Sequence, residues 1–311
     1  MKRFGINGFI FFLLCSTLYM GSMLLLNSVK LGGTPIAFRF IDGVTWYGGD
    51  TYQRFKDYST SPDNDLVIIG SSHAYRGYDP RIFEANGITA FNLGSHSQSI
   101  ADTEILIEEV LDKEQTRLLI YEVYPMLFEG DGFESSSFLI ANCPSDKAAL
   151  KMACNLSDIR TVNMLALRVG NKFIEPYAPL EGYTYRGYCS NTDSVGISDK
   201  SKSEKHFKFK KEHAASLKKL IEYCHENAVN LLLVTHPQPL TASALQFKEF
   251  NEFIAGMLEG TGFEHLDYSR NESFSPRDHF YDSHHLNQSG VDLFNSLLIQ
   301  KLKQKHLTSR P

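Results

Sequence analysis

The chain has 311 residues, 42% of them hydrophobic and 22% charged, with a formal net charge of −5. That length buries a sizeable core, as one large α/β domain with an insertion or as two modest domains. An acidic balance with no RNA- or DNA-binding motif excludes a nucleic-acid surface.

In chain order, the first element is apolar. Ile6 to Val29, "INGFIFFLLCSTLYMGSMLLLNSV", carries no charged side chain. At about 1.5 Å per residue it is long enough to cross a hydrocarbon core of about 30 Å. We expect a transmembrane helix rather than a removed signal peptide. The apolar stretch is long for a signal, and no clear small-x-small cleavage site appears beyond Gly21-Ser22. Lys2 and Arg3 crowd the short tip while only Lys30 flanks the far side, so the positive-inside rule keeps the tip in the cytoplasm and puts the bulk of the chain outside. The expectation is a single-pass protein whose first partner is the lipid bilayer, with 1–29 as tip and anchor. Residues 30–63 read as tether and domain edge, marked by Gly32-Gly33, Gly48-Gly49 and "STSPDND".

An alternation then begins. Leu66 to Ile69 reads as a strand, Pro80 to Ala85 as a helix start with proline in its first turn, and Thr89 to Leu93 as a second strand. Ala101 to Leu111 reads as an amphipathic helix and Leu118 to Val123 as a third strand. Strands and helices alternating through short connections imply parallel pairing with helices on both faces. The first core part is 64–125. The rhythm breaks at Pro125 and resumes near His206, so 126–205 is an insertion, with two short helices expected, the second ending at Gly170, among Gly/Tyr/Ser-rich loops. It is either a cap over the site or a decorative excursion. The second core part, 206–311, carries a helix from Lys208 to Asn227, a strand from Leu231 to Val234 and a helix from Ala242 to Leu258. A strand from Glu264 to Leu266 and a closing helix from Ser289 to Leu302 complete it. Lys200, Lys202, Lys205, Lys208, Lys210 and Lys211 form a basic cluster that is either a solvated face or a contact for anionic lipid or polymer.

Five cysteines add little. Cys15 lies in the apolar span and Cys224 in a helical stretch, while Cys143, Cys154 and Cys189 fall in the insertion. A Cys143–Cys154 disulfide and buried free thiols are both open readings.

"LVIIGSSHAYRGYDP", Leu66 to Pro80, ends an apolar run in glycine, two serines and a histidine. A hydroxyl is a poor nucleophile until a base takes its proton, and the base must be held in one tautomer by a third group. In "FYDSHHLNQSG", Asp282 and His285 stand three residues apart in a loop setting between the last strand and the last helix. That places them at the same carboxyl edge of the sheet as Ser72. The Glu222/His225 pair has the same spacing but lies inside a helix. A metal reading of "RDHFYDSHH", with Asp278, His279, Asp282, His284 and His285, lacks a distant ligand, and the side chains of adjacent histidines point apart. No metal or other cofactor is expected.

At these residues the chain resembles the SGNH, or GDSL-type, hydrolase superfamily. That family's G-D-S block corresponds to Gly70-Ser71-Ser72, its D-x-x-H block to Asp282-Ser283-His284-His285, and its second-block glycine to Gly94 in "FNLGSHS". The resemblance implies a three-layer sandwich around a parallel, flavodoxin-like five-stranded sheet. It further implies Ser72 as nucleophile, His285 as base, Asp282 as its orienting carboxylate, and the N–H groups of Ser72 and Gly94 as oxyanion donors. Ser71 replaces the usual aspartate, and the third block, G-x-N-D, is absent where the chain reads "IYEVYPM". Ser95, Gln98 or Tyr124 would substitute for its asparagine or the enzyme would be slow, and Ser71 and His73 would help wall the site. With the anchor, the resemblance is to the extracytoplasmic branch linked to acylation of cell-envelope polymers, of the alginate-acetylation and teichoic-acid D-alanylation kind. It implies a membrane-anchored serine esterase or O-acyltransferase acting on a glycan beside a multispanning acyltransferase. A non-catalytic scaffold or polymer-binding subunit is the alternative.

Overall fold

The computed structural model describes residues 2–40, 45, 47–61, 64–179, 182–190 and 204–307. Lys200 and Lys202 of the basic cluster lie outside them. Helix α1 (Lys2–Ser28) has a mean hydropathy of 2.1 over its most apolar window. Among the described residues it is the one helix long and apolar enough to cross a membrane.

After helix α2 (Gly49–Thr60), the core runs β1 (Leu66–Ile69), α3 (Ser72–Gly77), α4 (Pro80–Glu84), β2 (Ala90–Asn92), α5 (Ile100–Glu109) and β3 (Leu118–Glu122). The second part runs α9 (Lys211–Glu226), β4 (Leu231–Thr235), α10 (Ala244–Leu258), β5 (Glu264–Asp267) and α11 (Gln288–Gln304), the inserted helices being α6 to α8. The sheet order is β2-β1-β3-β4-β5, with every pair parallel. This is the doubly wound order in which ligands sit outside the strand carboxyl ends where the winding reverses, between β1 and β3.

Period-two alternation divides the strands between two cores. Val67, Ile69, Leu119, Tyr121, Leu231 and Leu233 pack on one face with α5, α9 and α10. Leu66, Ile68, Leu118, Ile120, Leu232 and Val234 pack on the other with α4 and α11. The free edge of β2 is covered by the hairpin Tyr183–Tyr185/Tyr188–Cys189, whose turn residue Arg186 accepts the Asn92 N–H through its carbonyl at 3.0 Å. A covered edge cannot template pairing with another chain.

The insertion holds three helices rather than two: α6 (Phe133–Asn142), α7 (Asp146–Leu156) and α8 (Arg160–Asn171). The unexpected one is α6, whose "ESSS" start reads as loop. Its serines are buried against Asp102 instead: the hydroxyls of Ser135 and Ser136 donate to that carboxylate at 2.5 and 3.0 Å, and Ser99 donates at 2.9 Å. Burial pushes the Asp102 carboxyl up, against the three hydroxyls that favour its charge. All five cysteines are free thiols, including Cys143 and Cys154.

Candidate active site

Between β1 and α3 the chain turns at Gly70, which adopts φ +149°. A Cβ there would stand 3.0 Å from Cβ and 3.1 Å from the carbonyl oxygen of Glu122 on β3. Glycine is therefore required on both backbone and packing grounds. The turn ends in Ser71, which caps α3 by accepting the His73 N–H at 3.3 Å. Ser72 is the first residue of that helix, so its N–H has no intrahelical acceptor; among the described residues it also has no backbone acceptor outside the helix.

The loop after β5 arrives at the same rim. His285 Nε2 lies 2.8 Å from Ser72 Oγ. His285 Nδ1 lies 2.8 Å from Asp282 Oδ2, and Asp282 Oδ1 accepts the N–H groups of His284 and His285 at 3.0 and 2.8 Å. With Nδ1–H directed at a carboxylate, the Nε2 lone pair faces the serine hydroxyl. Burial lowers the His285 pKa, opposed by Asp282, which favours the neutral imidazole a base requires. Burial works against ionisation of Asp282 as well, but hydrogen bonds from the His285 ring and from the two backbone N–H groups outweigh it and hold the carboxyl well below its usual range.

Other expected site residues are placed differently. Gly94 is tight against α3: a Cβ would meet Ala74 Cβ at 2.8 Å and Tyr75 N at 2.9 Å. Its N–H, expected in the oxyanion hole, donates to Asn92 Oδ1 at 3.1 Å. An oxyanion would have to draw it away from that amide. Ser95 donates to Gln98 Oε1 at 2.8 Å and Gln98 Nε2 to Thr103 at 2.9 Å, so these two brace their own loop. Tyr124 sets its ring edge-on to His73 with centroids 4.2 Å apart. Of the histidine-rich run, His279 Nδ1 accepts the Ser275 N–H at 2.9 Å, and the Asp278 carbonyl accepts from Asn287.

Sequence reasoning missed two residues directly beneath the serine. Glu122, the last residue of β3, and His236, which follows β4, are fully buried and 2.9 Å apart between Oε1 and Nδ1. His236 Nε2 lies 3.1 Å from the carbonyl oxygen of His284, which ties this pair to the loop that carries the base. The only available signal was a charged residue ending an all-apolar run, "LLIYE". A cavity of about 390 Å³ is lined among others by Arg54, Tyr75, Arg76, Phe138 and Tyr177, and by none of Ser72, Asp282 and His285. Arg76 is one helical turn from Ser72, on the same face of α3.

A protein-family model matches residues 194–307. No curated protein matches the chain. Among solved structures, a GDSL-like lipase from Bacteroides thetaiotaomicron VPI-5482 is similar at 10% identity and TM-score 0.43, over 82% of this chain and 98% of that one. An acetyl xylan esterase is similar at 12% identity and TM-score 0.38, over 77% and 98%. A family two carbohydrate esterase from Clostridium thermocellum, solved with cellohexaose, is similar at 8% identity and TM-score 0.41, over 80% and 66%. In its own 2-1-3-4-5 parallel sheet, with a serine, a histidine and an aspartate meeting over the strand ends, the chain resembles the SGNH, or GDSL-type, hydrolases.

Proposed function

We propose that the protein is a membrane-anchored serine esterase or O-acyltransferase. Ser72 forms an acyl-enzyme, His285 takes and returns the proton, and Asp282 holds the imidazole. The observation that carries this reading is the unbroken chain Asp282–His285–Ser72, with both links at 2.8 Å. Attack by Ser72 Oγ on an ester carbonyl passes its proton to His285 Nε2. Collapse of the tetrahedral intermediate returns that proton to the leaving alcohol, and water or an acceptor hydroxyl then repeats the sequence in reverse. The Ser72 N–H supports the oxyanion. The cavity beside Arg76 receives the acyl donor or acceptor, which on the resemblance is an acetylated cell-envelope glycan.

Helix α1 anchors this site to the membrane, with Lys2 and Arg3 inside and the domain outside. A multispanning acyltransferase is the expected neighbour. The inward engagement of the Gly94 N–H and the missing third block favour a second reading, a scaffold that binds polymer without turning it over.

A fluorophosphonate probe on the full-length protein in detergent separates the two. We expect labelling of the wild type, loss of label in Ser72→Ala, and a fall of at least ~10³-fold in acetyl-ester turnover. Wild-type protein that is folded yet neither labels nor turns over acetyl esters would sink the enzymatic reading.

A further inference from the structure

Beneath Ser72 lies a set of donor atoms that the acyl chemistry does not use. His73 is 2% exposed, and among the described residues neither of its ring nitrogens has a hydrogen-bond partner. Glu122 is 0% exposed, and its Oε2 likewise has no hydrogen-bond partner among the described residues. His236 is 1% exposed. One ligand atom from each of these three residues lies within 4.8 Å of the others. They sit at the carboxyl ends of three adjacent strands, β1, β3 and β4.

The hydrogen-bonding pattern is informative. If His236 Nε2–H donates to the His284 carbonyl at 3.1 Å, then Nδ1 presents a lone pair to Glu122 Oε1 only 2.9 Å away. Two acceptors that close need a proton or a metal ion between them. The Gln238 amide nitrogen lies 3.0 Å from Nε2; where it donates to that nitrogen, the ring proton sits on Nδ1 and bonds Glu122 Oε1 directly, and the unpartnered atoms are those of His73 and Glu122 Oε2. His73 Nδ1 is 3.8 Å from that Glu122 oxygen. Ligands about 2.0–2.1 Å from a tetrahedral ion stand ~3.3 Å apart, between these two separations. A metal-bound histidine whose other ring N–H donates to a backbone carbonyl is the usual supporting arrangement. A proton shared by Glu122 and His236 is the competing occupant, but it would leave the His73 ring and Glu122 Oε2 without partners, whereas a metal ion engages them.

We propose that His73, Glu122 and His236 hold a divalent transition-metal ion, zinc being the ion that best suits two imidazoles and a carboxylate, buried under the serine where the three strands end. The ion would pin the three strand ends beneath Ser72 and, through His236, fix the backbone of the loop that presents His285.

The test uses the untagged full-length protein, purified in detergent from zinc-containing medium without chelator, and reads elemental content rather than activity. We expect close to one zinc per chain in the wild type and in Ser72→Ala, so the result is independent of whether the serine is catalytic. Folded Glu122→Gln and His73→Phe should each retain less than a tenth of that zinc. After chelator treatment, returning zinc should raise the wild-type Tm by about 5 °C, and cobalt should give the visible bands of a tetrahedral site. If those two variants misfold, His236→Cys supplies a replacement ligand and should add a thiolate band to the cobalt spectrum. Wild type without metal and with no Tm response to zinc would overturn the proposal, as would full zinc content in Glu122→Gln.

Discussion

Asp282 does two jobs with two oxygens. Oδ1 accepts the His284 and His285 N–H groups and so shapes the loop; Oδ2 accepts the imidazole Nδ1–H. Asp282→Asn keeps an oxygen for the loop but turns an N–H donor toward Nδ1, which stabilises the tautomer whose Nε2 carries the proton. We expect a folded protein whose acetyl-ester turnover falls about 10³–10⁴-fold, measured alongside its fluorophosphonate labelling rate. Near-normal turnover would show that His285 is oriented by something else. The same carboxylate has a pH signature. Its folded-state pKa is depressed, so the stability it contributes is complete above its unfolded pKa of about 3.9 and is lost as pH falls through the lower folded value. The stability gap between wild type and Asp282→Asn should therefore not shrink between pH 7 and about 4.5, where loss of the carboxylate also makes His285 harder to protonate, and should shrink below about pH 4; a gap that already closes between pH 7 and 5 would reverse the sign argued here. At this scale the sequence was legible wherever a site residue belongs to a local pattern, as Ser72, Asp282 and His285 do. Glu122 and His236 each stand alone at a strand end, 114 positions apart, and only the β1-β3-β4 neighbourhood brings them together. Gly94 was expected at the site from its place after the second strand, yet nothing in the sequence shows that Asn92 claims its N–H.

Among the elements, the parallel strands were the easiest to read, because strands buried on both faces are nearly continuous apolar runs. Helix α6 was hidden because three consecutive serines favour turns when their hydroxyls bond locally. Here two of them reach a buried carboxylate 33 and 34 residues away instead. That contact clamps the cap to α5 and was invisible until Asp102 was seen to face inward. Asp102→Ala leaves the Ser99, Ser135 and Ser136 hydroxyls buried without their acceptor. A loss of about 3 kcal/mol follows from stranding them, read as a lower Tm together with faster proteolysis between residues 126 and 179. If Tm falls but the cap stays resistant, α6 is held by its apolar side, through Leu139 and Ile140, rather than by the serines.

The anchor and the soluble domain are joined by more than a tether. Tyr19 donates to Asn163 Oδ1 and Asn27 to Asn171 Oδ1, a constant offset of 144 residues that makes α1 and α8 run parallel. Gly170 allows the close approach: a Cβ there would stand 2.9 Å from Leu24 Cδ2. Contact with the rest of the chain begins at Tyr19 and burial at Met20, which leaves Lys2–Leu18 exposed, a length of about 26 Å that suits a bilayer core. Ile159, Val162, Val169 and Phe173 leave apolar surface exposed along and just beyond α8, next to the point where α1 would leave the lipid. Helix α1 is thus packed on the inserted cap rather than held at the end of a free tether. Orientation can be tested with the protein's own thiols. Cys154 is exposed, Cys15 lies on the proposed membrane span, and Cys143, Cys189 and Cys224 are buried, with burial pushing their thiols up to about 11, 11 and 12. Thiols so shifted stay protonated and unreactive at neutral pH. A membrane-impermeant maleimide added to intact cells should therefore modify Cys154 alone, and Cys154→Ser should abolish the signal. Labelling that appears only after lysis would put the domain in the cytoplasm, where Ser72 would meet no envelope polymer and the glycan substrate would have to be given up.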